Sequence, residues 1–260
     1  MANPRPNILF ILADDMKASD LDRMPNTQSL LVNQGVEFTK PWVTRSLCCP
    51  SRATILRGQY THNHHVWVNV EPSGGFWNFF DQGLENSTIA TWLNAAGYDT
   101  ILIGKYLNRY GLDRSGNYAP TSHVPPGWDE WYAWEGNYQS DTNYDINENG
   151  RIVRYQRSLK HGTDLHADTA VDFIMRTAGE APFFTYIGPN APHKPAYYAP
   201  RHANMFSSEP LPKPQSFNEA DVSDKPQWVQ DKPRLSSAKI NELTTLNRKR
   251  LRALQSVDER

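Results

Sequence analysis

Asn7-Ile8-Leu9-Phe10-Ile11-Leu12-Ala13-Asp14-Asp15 is a short, unbroken apolar run that ends on two carboxylates. A run of this length predicts a strand buried on both faces, as in a sheet covered by helices. Beyond it, Thr27 to Gln34 reads as a short helix capped by Asn26 or Thr27 and stopped at Gly35, followed by an extended Val36-Glu37-Phe38. Ser87 or Thr88 caps a second helix carrying Ile89, Trp92, Leu93 and Ala96; Gly97 ends it, and Tyr98 to Ile103 form the next strand. A third helix, Asp164 to Thr177, has an apolar face of Leu165, Val171, Ile174 and Met175 and precedes the strand Phe183 to Ile187. Helices alternating with apolar strands predict an α/β domain with a largely parallel central sheet.

In such sheets, ligands bind beyond the carboxyl ends of the strands. Asp14 and Asp15, Lys105 and His193 each lie just past a predicted strand, so polar groups far apart in sequence are expected to converge there. The remaining segments are Tyr118 to Asn149, rich in Trp, Tyr, Asn, Gly and Pro, and Pro210 to Pro233, rich in Pro, Lys and Asp. Both (118–149 and 210–233) read as long surface excursions within one domain spanning 1–260. From Ala238 onward Ile240, Leu243, Leu246, Leu251, Leu254 and Val257 mark one face of a last helix, whose basic run Arg248-Lys249-Arg250 with Arg252 reads as a solvated face.

The chain has 260 residues, 38% of them hydrophobic and 21% charged, which supports a folded core rather than disorder. Its 27 Lys and Arg against 28 Asp and Glu leave a net charge of -1, so no global field favours nucleic acid or an anionic membrane. No apolar run approaches the roughly 20 residues of a bilayer span, and no signal peptide is visible ahead of the first strand. The two cysteines, Cys48 and Cys49, are adjacent, which excludes a disulfide scaffold and leaves either buried small hydrophobes or a reactive thiol.

Cys48-Cys49-Pro50-Ser51-Arg52, continued by Ala53-Thr54-Ile55-Leu56-Arg57-Gly58, resembles the signature of the type I sulfatases of the alkaline-phosphatase-like superfamily, Cys-x-Pro-Ser-Arg followed by Leu-Thr-Gly. Asp14-Asp15, Gly104-Lys105 and Pro192-His193-Lys194-Pro195 match further motifs of that family in order. The branch of N-acetylglucosamine-6-sulfatases and heparan 6-O-endosulfatases is similar at His62-Asn63-His64-His65, Gly104-Lys105-Tyr106-Leu107-Asn108, His123-Val124-Pro125-Pro126-Gly127-Trp128 and Arg250-Leu251-Arg252-Ala253-Leu254-Gln255-Ser256-Val257-Asp258.

The resemblance implies hydrolysis of a sulfate ester on a sugar or glycosaminoglycan, with N-acetylglucosamine 6-sulfate as the expected substrate. It implies that Cys48 is converted to formylglycine by a formylglycine-generating enzyme and hydrated to a geminal diol. One hydroxyl attacks sulfur, and the other lets the sulfated species collapse and release sulfate. Asp14, Asp15 and the converted Cys48 would hold a divalent cation. Oxygen donors at one strand end, with no His or Cys cluster at transition-metal spacing, favour Ca²⁺, with Mg²⁺ as the alternative. Arg52 and Lys105 would hold sulfate oxygens, and His193 would bind sulfate or protonate the leaving oxygen. Asn108 and His65 would contact the sugar, and the aromatic residues from Trp128 to Tyr144 are expected to form local core or stack on sugar rings.

Two further readings stay open: a phosphonate monoester or phosphate diester hydrolase of the same superfamily, and a non-catalytic relative or subunit that binds sulfated glycan. Arg57 replaces the Thr of Leu-Thr-Gly, and Leu107 stands where many sulfatases have His. The Asp-Asn-Gly that completes the metal site in the family does not occur here, so the chain is expected to be the N-terminal part of a sulfatase domain, with a sheet incomplete at its C-terminal side. Family analogy implies a secreted or periplasmic protein, with a cytoplasmic one as the alternative.

Overall fold

The computed structural model describes residues 5–136, 143–156 and 158–259. Tyr138 of the aromatic stretch, the rest of 137–142 and the terminal Arg260 lie outside the described residues. Among the described residues six strands form one sheet: β1 Ile8–Ile11, β2 Asp99–Gly104, β3 Glu130–Glu135, β4 Asn143–Glu148, β5 Arg151–Gln156 and β6 Phe183–Gly188. Their order is β1-β6-β2-β3-β4-β5. β1, β6, β2 and β3 run parallel, with Leu102 opposite Tyr186 and Ile103 opposite Tyr132, while β4 and β5 add an antiparallel wing.

Helices α1 Pro25–Thr27, α2 Cys48–Arg57, α3 Thr61–His64, α4 Gly75–Asp81 and α5 Ile89–Ala95 precede β2. They are followed by α6 Gly162–Thr177, α7 Gln227–Gln230 and α8 Ser237–Asp258. One sheet face packs Leu102, Trp131, Phe184 and Tyr186 against Cys49, Ala53 and Leu56 of α2 and Phe76 and Phe79 of α4. On the other, Ile101, Ile103 and Phe183 meet Ala170 and Phe173 of α6. Alternate residues of β2 thus serve opposite layers, as the two-residue period of a strand requires. The chain thus has the α/β fold with a largely parallel central sheet that was expected.

Five local expectations are corrected. β1 is an edge strand, and Leu9 and Ile11 are 51% and 46% exposed, so only its inner face is covered among the described residues. Val36-Glu37-Phe38 finds no strand to pair with and stays irregular, with Val36 and Phe38 both exposed. The first helix begins at Pro25, continues as a π-helical segment Gln28–Val32, and its N-cap Met24 has no capping side chain. Asp258 of α8 instead accepts the amides of Asn26 and Thr27 at 3.0 and 2.7 Å, a cap supplied from the other end of the chain. The described residues of 118–149 are not a surface excursion, because they supply β3 and β4 and bury Trp128, Trp131 and Trp134. On α6 the buried face is His166, Ala170, Phe173 and Thr177, whereas Val171 and Met175 point to solvent. A buried histidine and two small residues hold the inward stripe with Phe173, so apolarity alone does not mark it.

Candidate active site

Asp14, Lys105 and His193 follow β1, β2 and β6, neighbours in the sheet, so the strand ends deliver them to one place. The Asp14 amide donates to the Ala191 carbonyl at 3.1 Å, and the Lys105 amide to the Gly188 carbonyl at 2.7 Å, which fixes the three loops against each other. Gly188 is required there. A Cβ on it would stand 2.7 Å from the Lys105 carbonyl oxygen and 3.1 Å from an Arg52 nitrogen.

α2 enters from the covered face with Cys48 as its first residue, Leu47 extended before it and Gly58 left-handed after it. Asn69 accepts the Cys49 amide at 2.9 Å and so orients that first turn. Arg52, one turn on, is buried and donates to the Lys105 carbonyl at 2.8 Å; its guanidinium also lies 3.8 Å from Asp14. The Lys105 ammonium bonds the other Asp14 oxygen. Burial pushes the Asp14 carboxyl up, but Lys105 and Arg52 outweigh it and hold Asp14 below the ordinary carboxylate range, hence ionised.

Burial raises the Cys48 thiol above its usual range; Lys105 and Arg52 work against that, while Asp14 and Asp15 reinforce it. Cys49 is fully buried and pushed up to about 12, chiefly by burial. At neutral pH neither residue is a ready thiolate nucleophile, and only Cys48 faces a cleft.

That cleft, about 310 Å³, is lined by Asp14, Asp15, Cys48, Ser51 and Arg52. A second of about 300 Å³ is lined by Lys105, Asn108, Arg109, Asn69 and Trp134. Lys105 joins the two, reaching Asp14 of the first while lining the second. The Asn108 side-chain oxygen is buried with no hydrogen-bond partner among the described residues, so it offers an acceptor toward the second cleft.

Ligand atoms of Asp14, Cys48 and His193 all lie within 4.8 Å of one another. Asp15 does not complete this group. Its carboxylate stands 3.6 Å from His193 Nε2, and its backbone holds a left-handed φ of 65°. His65 is exposed and lines neither cleft. His64 is core, its Nε2 3.0 Å from the Thr54 hydroxyl and its Nδ1 accepting the Val66 amide at 3.1 Å.

Sequence reading missed Asn69 and Arg109, neither of which carries a local signal, and read Arg250 only as part of a solvated basic face. Arg250 donates to the Asp15 carbonyl, Arg248 to that of Glu209 at 2.8 Å and Arg252 to that of Met205 at 2.6 Å. The basic run is therefore a set of clamps, not a solvated face. Arg57, the departure from Leu-Thr-Gly, binds the carbonyls of Leu84 (3.2 Å) and Ser87, tying the end of α2 to the turn before α5.

Residues 6–259 match the sulfatase family model, and the chain belongs to the sulfatase family. A Caenorhabditis elegans protein described as a homologue of the extracellular sulfatase Sulf-1 is 37% identical over 261 residues, covering 97% of this chain and 35% of that protein. Human N-acetylglucosamine-6-sulfatase is 34% identical over 262 residues, covering 98% and 46%. The chain thus spans less than half the length of these relatives. A protein solved in complex with its substrate D-glucosamine-2-N,6-O-disulfate superimposes with a TM-score of 0.67 at 20% identity, over 98% of this chain and 60% of that one. No helix among the described residues is long and apolar enough to cross a membrane.

Proposed function

We propose that this chain is the nucleophile-bearing part, 1–260, of a sulfuric ester hydrolase that removes the 6-sulfate of an N-acetylglucosamine unit. The observation that carries the reading is the meeting of Cys48, Arg52, Lys105, Asp14 and His193 at one end of three neighbouring strands. The names of the human and Caenorhabditis elegans relatives support a sulfated sugar as substrate.

Converted to a hydrated formylglycine, Cys48 supplies one hydroxyl to attack sulfur and a second through which sulfate is expelled. The carboxylates of Asp14 and Asp15 beside it form an oxygen donor set that suits a hard cation, Ca²⁺ or Mg²⁺, which lowers the pKa of a bound hydroxyl. Arg52 and Lys105 are buried, fixed cations, and their charge stabilises the three oxygens of the transferring sulfuryl group with little reorganisation. His193, its Nε2 3.6 Å from Asp15, would give a proton to the leaving sugar oxygen. Asn108 and Trp134 in the adjoining cleft would bind the sugar. A formylglycine-generating enzyme is the partner this requires, and the names of the extracellular relatives favour a secreted protein.

The test is sulfate release from N-acetylglucosamine 6-sulfate, with a phosphate diester at equal concentration as the competing substrate. Release that disappears in Cys48→Ala while far-ultraviolet circular dichroism is unchanged supports the assignment. Full activity in that variant, or faster turnover of the diester, refutes it.

A further inference from the structure

Nothing in the spacing of the sequence suggests a transition-metal site, yet folding brings a thiol, an imidazole and a carboxylate together at Asp14, Cys48 and His193. Zinc takes Cys at about 2.3 Å and His or Asp at about 2.0–2.2 Å, so tetrahedral ligand atoms stand about 3.4–3.6 Å apart. Atoms already within 4.8 Å stand at most little more than about an ångström outside that separation.

The remaining contacts orient the ligands. His193 Nδ1 lies 2.5 Å from the Lys194 carbonyl oxygen, which can only accept, so the neutral ring carries its proton on Nδ1 and its lone pair on Nε2. Nε2 is the nitrogen on the cleft side, 3.6 Å from the Asp15 carboxylate. A backbone carbonyl on the distal nitrogen is the usual support for a metal-bound histidine. On Asp14 the Lys105 ammonium occupies one oxygen, and the other is only loosely approached by Arg52 at 3.8 Å. Asp14 and Cys48 line the open cleft, His193 borders it from the side of Asp15, and three protein ligands leave a fourth position for water.

We propose that, while Cys48 is still a thiol, Cys48, His193 and Asp14 form a binding site for a thiophilic divalent ion, zinc foremost. A chain converted at Cys48 has oxygen in place of the one soft donor, so unconverted and converted molecules differ in metal preference, zinc in the first and a hard cation in the second. The thiol-state site stands on geometry alone; the difference in preference rests on the function proposed above. Binding is balanced in protons: the ion displaces the thiol proton to solvent and no electron is transferred.

The experiment uses the full chain with Cys48 left unconverted, verified by intact mass, in a non-chelating reductant. Titration with Co²⁺ should give, at one equivalent, a thiolate-to-cobalt charge-transfer band and the visible bands of a tetrahedral ion, both removed by Zn²⁺. The band should vanish in Cys48→Ser, persist in Cys49→Ala, and in His193→Ala require roughly tenfold more metal or worse. Circular dichroism of each variant separates loss of the site from loss of fold. Absence of the band in the folded unconverted protein, its persistence in Cys48→Ser, or equal zinc affinity with and without His193 overturns the proposal. Converted protein that still gives the band overturns the difference in preference. Sulfate release is read only on converted protein, so failure of the hydrolase assignment leaves the zinc result standing and the reverse also holds.

Discussion

Asp14 is an ionised carboxylate at 4% exposure, and Lys105 is the group that makes this tolerable. Removing one partner of a buried pair leaves an uncompensated charge, which costs about 3–5 kcal/mol. Lys105→Met should therefore lower urea stability by that order at pH 7. The sign with pH follows from the lowered folded pKa: Asp14 adds stability above its unfolded value of 3.8, and that is lost as pH falls through the lower folded value. The gap between wild type and Lys105→Met should accordingly narrow in acid, and a gap that stays constant from pH 7 to 3 would contradict the pairing. Glu135 behaves in the opposite way. Burial, with a smaller push from Asp145 and against a Thr121 amide bond, raises it from 4.5 to about 8. Its contribution is present below pH 4.5 and lost as pH rises through about 8, so Glu135→Gln should flatten the stability profile across that window. Chelation followed by Ca²⁺ addition tests Asp14 and Asp15 at the same scale: sulfate release should fall and recover, and release indifferent to rigorous metal removal would end their assigned role.

At the scale of elements, α8 holds the site from outside it. Its Asp258 caps α1, its Asn247 accepts from Lys17 at 3.1 Å, and its Arg250 clamps the Asp15 carbonyl. Charged hydrogen bonds of this kind contribute about 1.5–3 kcal/mol each. Asp258→Ala should cost about that much in denaturant unfolding and speed hydrogen exchange at the Asn26 and Thr27 amides. Arg250→Ala should instead speed exchange at Asp15 and Met16 and raise KM for the sulfated sugar with little change in global stability. Unchanged exchange in that loop would show that the left-handed Asp15 holds itself.

For the molecule as a whole, the sheet separates two apolar layers, one built on α2 and α4 and one on α6. Phe173 anchors the second layer at 2% exposure, and Phe173→Ala should lower stability by about 3–5 kcal/mol. Because β2 supplies Leu102 to one layer and Ile101 and Ile103 to the other, both should unfold together. Fluorescence and far-ultraviolet circular dichroism should then trace one transition, and two separated transitions would mean the layers are independent.

The alternation of helix and strand, the Thr88 cap whose hydroxyl accepts the Thr91 amide, and the placement of Asp14, Lys105 and His193 past their strands were all legible in the sequence. They were legible because the signals are local: a cap is a few residues from its helix, and a parallel strand always releases its chain at the same sheet end. The signature at Cys48 to Arg52 was likewise legible, and it opens α2. Tertiary structure alone decided the rest, since each remaining feature depends on partners distant in the chain. Asp258 caps a helix 232 residues away, and Arg250 reaches Asp15 across 235. β1 is as apolar outside as inside, so no pattern within it could show that it lies at an edge. His193 and Cys48 carry no sign of each other in sequence; their side chains come within 4.8 Å because β6 lies beside β1 while α2 packs across both.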